Sequence, residues 1–183
     1  LAVLSLDLPA AYSSRPRSPS FAVEEVATAV ADWVGSQPRF ARSRLGAFGV
    51  SFGGHLVARL MAGDARFRAG VSVSPPAWLG ARELRPKRMR VMFACAFDLH
   101  SEREVEETSG RIRLDRVPPA EGSILLFQMN QDRLFGQEHA DAFREWGRDH
   151  VEVRHLDAEH VGTSQAHRWL PAACDWLGRN LCS

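Results

Sequence analysis

Short apolar runs alternate along this chain with segments of helical spacing, and this alternation limits the fold more than any other feature. The runs at 1–8, 45–50 and 69–73 predict buried strands, while 21–34 and 55–62 carry apolar residues at helical spacing. Parallel strands need a long crossover connection, which is usually a helix. The β-α-β-α-β order therefore predicts an α/β fold with a parallel sheet and right-handed crossovers.

The alternation is interrupted between residues 77 and 122 and then resumes. We predict that this segment is mainly helical and is inserted before a further strand, and that its basic run at 82–90 is a solvated helix face rather than a phosphate site. Regular elements are predicted again further along the chain, as strands at 123–129 and 151–156 and helices at 139–146 and 165–181.

Composition and charge exclude several classes of protein. The 183 residues carry a formal net charge of +1, which gives no reason to expect binding to nucleic acid or to an anionic membrane surface. No apolar run approaches the roughly 20 residues that a membrane-spanning helix needs. Cys95, Cys174 and Cys182 show neither a disulfide framework nor metal-ligand spacing, so a cytoplasmic protein without a metal is expected.

The segment Gly49-Val50-Ser51-Phe52-Gly53 has the spacing G-x-S-x-G and lies between a predicted strand and a predicted helix. A serine on such a sharp turn has its hydroxyl raised above the carboxyl edge of the sheet. We expect Gly49 and Gly53 both to be required, because a Cβ at either position would clash with neighbouring backbone. The backbone N–H of Phe52 is predicted to stabilise an oxyanion. The alternative is an ordinary turn whose small residues only permit tight packing.

Two further residues are placed to work with this serine. A serine nucleophile needs a histidine base, and the base needs a carboxylate that fixes its tautomer. Asp132 follows the strand at 123–129, and His160 follows the strand at 151–156. The order Ser, Asp, His along the chain is the order found with a serine on a strand-to-helix turn. We therefore predict Ser51 as nucleophile, His160 as base and Asp132 as the acid.

Other acids and histidines are less well placed for these roles. Asp157 and Glu159 are close to His160 in sequence and are expected to be solvated or capping, and Asp98 could serve only in a rearranged fold. His55 lies one turn into the helix after Ser51, where packing against the sheet is expected. Surface positions are expected for four more histidines, namely His100, His139, His150 and His167.

With these motifs the sequence resembles the α/β-hydrolase superfamily over nearly its whole length. It is most similar to the branch around the fermentation-respiration switch protein, on residues 44–54 and 68–73 and on the layout of 84–115. The resemblance implies a mostly parallel sheet flanked by helices, with residues 1–183 as the C-terminal catalytic portion of the domain and 77–122 as a cap-like helical insert. It also implies that strands and an oxyanion-hole loop with the second donor precede this sequence.

The resemblance implies esterase-like hydrolysis of an ester or activated carbonyl in a hydrophobic small molecule. The insert, with Trp78, Met89, Met92, Phe93 and Phe97, would supply an apolar wall. The same fold leaves open carbon–carbon bond hydrolysis, release or shortening of a polyketide chain, and a catalytically silent binding or regulatory module. No cofactor is implied. Expected partners are the small-molecule substrate and the N-terminal part of the same protein, and a homodimer is left open.

Overall fold

The chain forms two compact units in the computed structural model, which describes residues 2–6, 23–40 and 44–182. The larger unit consists of Val23–Ala77 and Leu114–Ser183, and the smaller unit includes Trp78–Arg113. The larger unit carries the sheet and all three residues predicted to act in catalysis.

In the described residues, the larger unit is built on a parallel sheet of four strands that lie in chain order. The strands are β1 (Leu45–Val50), β2 (Phe67–Val73), β3 (Ser123–Met129) and β4 (Val151–Leu156). Over both units, the helices of the described residues are α1 (Val23–Ser36), α2 (Phe52–Gly63), α3 (Lys87–Phe97), α4 (Glu102–Ser109), α5 (Gln137–Gly147) and α6 (Ala166–Cys182), with 3₁₀ turns at Leu114–Arg116, Arg148–His150 and His160–Gln165. Among the described residues, no helix combines the length and apolar character needed to cross a membrane.

Both faces of the sheet are covered by helices. On one face, Val71 and Val73 of β2 pack with Trp169 and Trp176 of α6 in the main core cluster. On the other face α2 lies so close that a Cβ at Gly70 would be 2.3 Å from the Met61 sulfur. Strands buried on both faces read as continuous apolar runs, which is why β2 and β3 were recognisable in the sequence.

The smaller unit contains the two helices that interrupt the alternation. Ser101 caps α4 in a reciprocal capping box with Glu104, which fixes where this helix begins. Phe93 and Phe97 of α3 are buried, with ring centroids 4.7 Å apart, so these two aromatic residues contact each other as core side chains do. The prediction of a helical insert before β3 is confirmed.

The predicted fold class is confirmed, whereas two local predictions are wrong. Residues 2–6 are not in a strand: none of the four strands pairs with them, and the side chain of Val3 is 94% exposed. The other residues of the predicted strand at 1–8 lie outside the described residues. The helix after Ser51 begins at Phe52 rather than near His55, because Gly53 and Gly54 belong to its first turn instead of preceding it.

Candidate active site

Ser51 occupies a strained turn between β1 and α2. Its backbone has φ 54° and ψ −124°, in a region that costs a residue with a side chain on the order of 1–3 kcal/mol. The turn is held by hydrogen bonds from Ser51 N–H to the Val73 carbonyl, at 2.7 Å, and from Gly54 N–H to the Ser51 carbonyl, at 2.9 Å. Although Ser51 is the N-cap residue of α2, its hydroxyl makes no capping bond. The hydroxyl is directed to a histidine instead.

The two glycines of the G-x-S-x-G segment differ in what surrounds them. A Cβ at Gly49 would lie 2.2 Å from the Gly53 carbonyl oxygen, whereas a Cβ at Gly53 would meet nothing within 4 Å. The expectation that both flanking glycines avoid a clash is therefore right for Gly49 and wrong for Gly53. Gly54 is the more constrained of the two helical glycines, because a Cβ there would be 3.0 Å from the Pro75 Cβ and 3.3 Å from the Ser72 Cβ.

Ser51, His160 and Asp132 form one continuous hydrogen-bonded chain. The Ser51 Oγ lies 2.9 Å from His160 Nε2, and His160 Nδ1 lies 2.7 Å from Asp132 Oδ2. Burial increases along this chain, since the His160 side chain is 22% exposed and the Asp132 side chain 0%. The three residues come from the carboxyl ends of β1, β3 and β4, which meet at one edge of the sheet.

The Asp132 carboxylate is fixed from both of its oxygens. Oδ1 accepts the backbone N–H groups of Leu134 at 2.8 Å and Phe135 at 3.0 Å, which leaves Oδ2 for His160. Burial opposes ionisation, but the hydrogen bond from His160 and the backbone bonds outweigh it, and the pKa of Asp132 is lowered from 3.8. Asp132 is thus an ionised, acceptor-only partner that requires the proton of a neutral His160 to be on Nδ1.

The loop that carries His160 is held in an unusual backbone conformation. Val161 has φ 72° and Gly162 has φ 62°, and a positive φ is rare for a β-branched residue. The N–H of Val161 donates to the Ser74 hydroxyl at 3.0 Å, and the indole N–H of Trp169 donates to the Gly162 carbonyl at 2.8 Å. The imidazole is therefore attached to a backbone whose next two residues are both hydrogen-bonded to side chains.

The competing acids are engaged elsewhere. Asp157 accepts a hydrogen bond from Gln131, and Asp98 lies 3.4 Å from His100 within the smaller unit. Glu159 accepts both the hydroxyl and the backbone N–H of Ser164, and these bonds lower its pKa to about 2. Of these carboxylates and Asp132, only Asp132 is hydrogen-bonded to His160.

One prediction for the histidines is wrong. His139, expected at the surface, is 0% exposed, and its Nδ1 accepts the N–H of Ala77 at 3.1 Å. Its position in the first turn of α5 gave no sign of burial, because the residue that it contacts is distant in sequence. His55 is also fully buried, as expected for packing against the sheet, and its Nδ1–H donates to the Pro76 carbonyl at 2.9 Å.

His55 gives the fold a specific sensitivity to acid. Burial lowers its pKa from 6.5 to about 3, so between these values the unfolded chain binds a proton that the native protein does not. The contribution of His55 to the free energy of unfolding is constant above pH 6.5. It becomes progressively less favourable to the native state as the pH falls from 6.5 towards 3. We expect the free energy of unfolding to fall by about 1.4 kcal/mol per pH unit from this group alone. Urea titrations at several pH values would measure how steeply the free energy of unfolding changes with pH.

The matched variant for this test is His55→Asn. The asparagine amide can donate to Pro76 from the position of Nδ1 but does not titrate. The variant should therefore have a shallower pH dependence than the wild type between pH 6.5 and pH 3. Equal slopes in the two proteins would show that His55 is protonated without cost in the native state.

Sequence reasoning missed the residues that support the site. Gln128 is 1% exposed, and its amide donates to the Phe135 carbonyl at 3.1 Å, which holds the loop of Asp132. The Phe135 ring meets His160 edge-on, with centroids 5.3 Å apart. Ser72 in β2 and Ser74 just after it are both buried. The sequence signal for these supporting residues is a polar residue that lies inside, or just after, an otherwise apolar strand.

The arrangement provides a serine hydroxyl, a base and an ionised acid in hydrogen-bonded order. Within the described ranges, no group of three His, Cys, Asp or Glu residues is arranged to hold a metal ion. A parallel sheet with a serine on the turn from strand to helix, followed along the chain by Asp and then His, is characteristic of the α/β-hydrolases. The fold and this geometry define that class of protein.

Comparison with known families makes the assignment more specific. A model described as the prolyl oligopeptidase family matches residues 25–181, and the chain belongs to this family. The predicted resemblance to the α/β-hydrolases, and the prediction of an enzyme of that class, are thereby confirmed. No curated protein matches the sequence significantly.

Solved structures of several hydrolases are similar in fold. A 2,6-dihydroxy-pseudo-oxynicotine hydrolase superposes with a TM-score of 0.85 at 16% identity, covering 96% of this chain and 51% of the hydrolase. An esterase from Pyrococcus furiosus superposes with a TM-score of 0.64 at 21% identity, covering 87% of this chain and 62% of the esterase. Acetyl xylan esterase 1 from Thermoanaerobacterium sp. JW/SL YS485 superposes with a TM-score of 0.62 at 20% identity, covering 84% of this chain and 52% of the esterase. The chain thus spans between half and two thirds of the length of these proteins.

Proposed function

We propose that this protein is a serine hydrolase that cleaves an ester or another activated carbonyl of a hydrophobic small molecule. The observation that carries the proposal is the hydrogen-bonded chain from Ser51 through His160 to Asp132, with distances of 2.9 Å and 2.7 Å. The strained backbone of Ser51 supports it, because such strain is concentrated at functional sites.

Each residue has a defined role in the proposed reaction. The Ser51 oxygen attacks the carbonyl carbon while His160 Nε2 takes the hydroxyl proton, and the Asp132 carboxylate stabilises the imidazolium. The carbonyl oxygen becomes an oxyanion near the positive end of α2, where the N–H of Phe52 is the proposed donor. Collapse of this intermediate passes the proton from His160 to the leaving group and leaves an acyl-serine. A water molecule, activated by His160, then releases the acid.

Two observations bear on the bond that is cleaved. The esterases among the structural relatives support an ester, and membership of the prolyl oligopeptidase family makes an amide bond the second candidate. The similarity to the branch around the fermentation-respiration switch protein also keeps carbon–carbon bond hydrolysis and polyketide-chain release as predictions. A cytoplasmic location, homodimer formation, and a second oxyanion donor from a preceding part of the protein also stay predictions.

Active-site labelling tests the proposal directly. The full-length protein is treated with a fluorophosphonate probe and analysed by intact mass and peptide mapping. We expect one adduct, on Ser51, because only a hydroxyl with an adjacent base is sufficiently nucleophilic. Ser51→Ala should abolish the adduct. The matched control is Ser36→Ala at the end of α1, where the hydroxyl donates to a backbone carbonyl of its own helix; this variant should label like the wild type.

Substrate panels then separate the candidate reactions. Acyl p-nitrophenyl esters of increasing chain length, aminoacyl p-nitroanilides and aromatic β-diketones represent ester, amide and carbon–carbon cleavage. We expect the esters to be turned over fastest and Ser51→Ala to be inactive on all three. A folded wild-type protein without an adduct and without turnover would contradict the hydrolase proposal and favour the silent binding module.

A further inference from the structure

We propose that Ser74 is a positioning residue for His160. The buried hydroxyl of Ser74 holds Val161, the residue after His160, in the backbone conformation that directs the imidazole to Ser51. The inference rests on the proposed function, and it extends the site to a residue in the loop after β2. Ser74 is 0% exposed, and its Oγ lies 3.0 Å from the backbone nitrogen of Val161.

Both residues of this contact have a positive φ. Ser74 has φ 47° and Val161 has φ 72°, and neither is a glycine, for which such values would carry no steric cost. Strained backbone persists only where the surroundings over-determine it. The bond between the two strained residues is therefore a direct means of keeping both in place, 87 positions apart in sequence.

The end of β2 joins the two halves of the site. The Val73 carbonyl accepts the N–H of Ser51 at 2.7 Å, and the Ser72 hydroxyl donates to the Gly54 carbonyl at 2.9 Å. Ser74 bonds to the side of the site that carries the base. Its N–H donates to the Phe127 carbonyl of β3, and its hydroxyl accepts the N–H of Val161. Consecutive residues thus fix the nucleophile on one side and the base on the other, so the distance between Ser51 and His160 depends on this short segment.

The chemistry of Ser74 is distinct from its backbone geometry, and substitution can separate the two. Ser74→Gly removes the hydroxyl but favours the positive φ, so the variant should fold. If only the conformation mattered, glycine would serve as well as serine. If the hydroxyl positions His160, the loop should loosen in this variant although the fold is intact.

Hydrogen exchange and labelling of Ser51 together test the proposal. In Ser74→Gly we expect faster amide exchange, measured by mass spectrometry, in the peptide 158–165, and fluorophosphonate labelling slowed about 10- to 100-fold. Ser72→Ala is the matched control for exchange, because it removes an equally buried hydroxyl two residues earlier, within β2, that bonds to α2 instead of the His160 loop. Its 158–165 peptide should exchange like the wild type.

The two readouts separate failure of this inference from failure of the proposed function. Unchanged exchange and unchanged labelling in folded Ser74→Gly would overturn the role of Ser74. Equally fast amide exchange of the 158–165 peptide in Ser72→Ala and Ser74→Gly would also overturn it, because either buried hydroxyl near the end of β2 would then have the same effect. If the wild type is not labelled at all, the hydrolase proposal fails, and exchange alone decides whether Ser74 holds the loop.

Discussion

Asp132→Asn is expected to leave the fold intact and to lower turnover by roughly 10⁴-fold, the loss that follows when the base is held in the wrong tautomer. The structure gives a specific reason. The backbone N–H groups of Leu134 and Phe135 both donate to Oδ1, so the asparagine oxygen must take that position. Its NH₂ group then faces His160 Nδ1, which can only accept. The imidazole proton moves to Nε2, and the base has no lone pair left for the Ser51 hydroxyl.

Initial rates on an acyl p-nitrophenyl ester and the rate of fluorophosphonate labelling would measure this loss. Asp157→Asn is the matched control, because Asp157 lies on the same edge of the sheet but accepts its hydrogen bond from Gln131. That variant should keep wild-type rates. A folded Asp132→Asn protein within tenfold of the wild type would remove Asp132 from the proposed machinery.

Gly49→Ala should be among the most destabilising single substitutions in the chain. The new Cβ would lie 2.2 Å from the Gly53 carbonyl oxygen and 2.8 Å from the Gly54 nitrogen. Both atoms are backbone, so no flexible side chain can move aside, and the turn itself must deform. We expect a loss of about 3 kcal/mol or more in the free energy of unfolding. For a chain of this length that corresponds to a fall in Tm of about 6–12 °C.

Gly53→Ala is the matched comparison within the same pentad. A Cβ there meets nothing within 4 Å, and alanine is a better helix former than glycine in α2. The free energy of unfolding should stay the same or rise by up to about 1 kcal/mol. Urea unfolding of both variants would measure the change in the free energy of unfolding, and the extent of Ser51 labelling would show whether the turn keeps its shape. Equal losses at the two positions would show that the pentad tolerates no side chain at either glycine.

Strands and helices were predictable where a single period dominated the sequence. The predicted strands at 45–50, 123–129 and 151–156 coincide with β1, β3 and β4. β1 and β3 are mainly apolar runs, whereas β4 begins with alternating apolar and charged residues, and both patterns are typical of strands. The helix that follows Ser51 starts earlier than the predicted start near His55, because Gly53 and Gly54 belong to its first turn. Gly54 allows the helix to begin close to the sheet, because a Cβ there would be 3.0 Å from the Pro75 Cβ and 3.3 Å from the Ser72 Cβ.

Three residues of the candidate site could be predicted, whereas the residues that support them could not. Ser51, Asp132 and His160 each follow a strand, so the topology alone placed them at one edge of the sheet. The contact between Ser74 and Val161 depends on positive φ values in residues that rarely adopt them, and no residue pattern marks such a pair. The burial of His139 likewise depends on a contact with Ala77, which is 62 positions away.

The order of the strands has a consequence for the time at which this protein becomes reactive during synthesis. Because the strands of the described sheet lie side by side in chain order, each new strand can join the edge of those already made. Ser51 precedes His160 by 109 residues, which a ribosome adds in roughly 5–20 s. Throughout that interval the nascent chain carries the proposed nucleophile without its proposed base. Ribosome-bound chains that stop short of residue 160 should therefore be inert towards the probe, and the onset of labelling would report the closing step of folding.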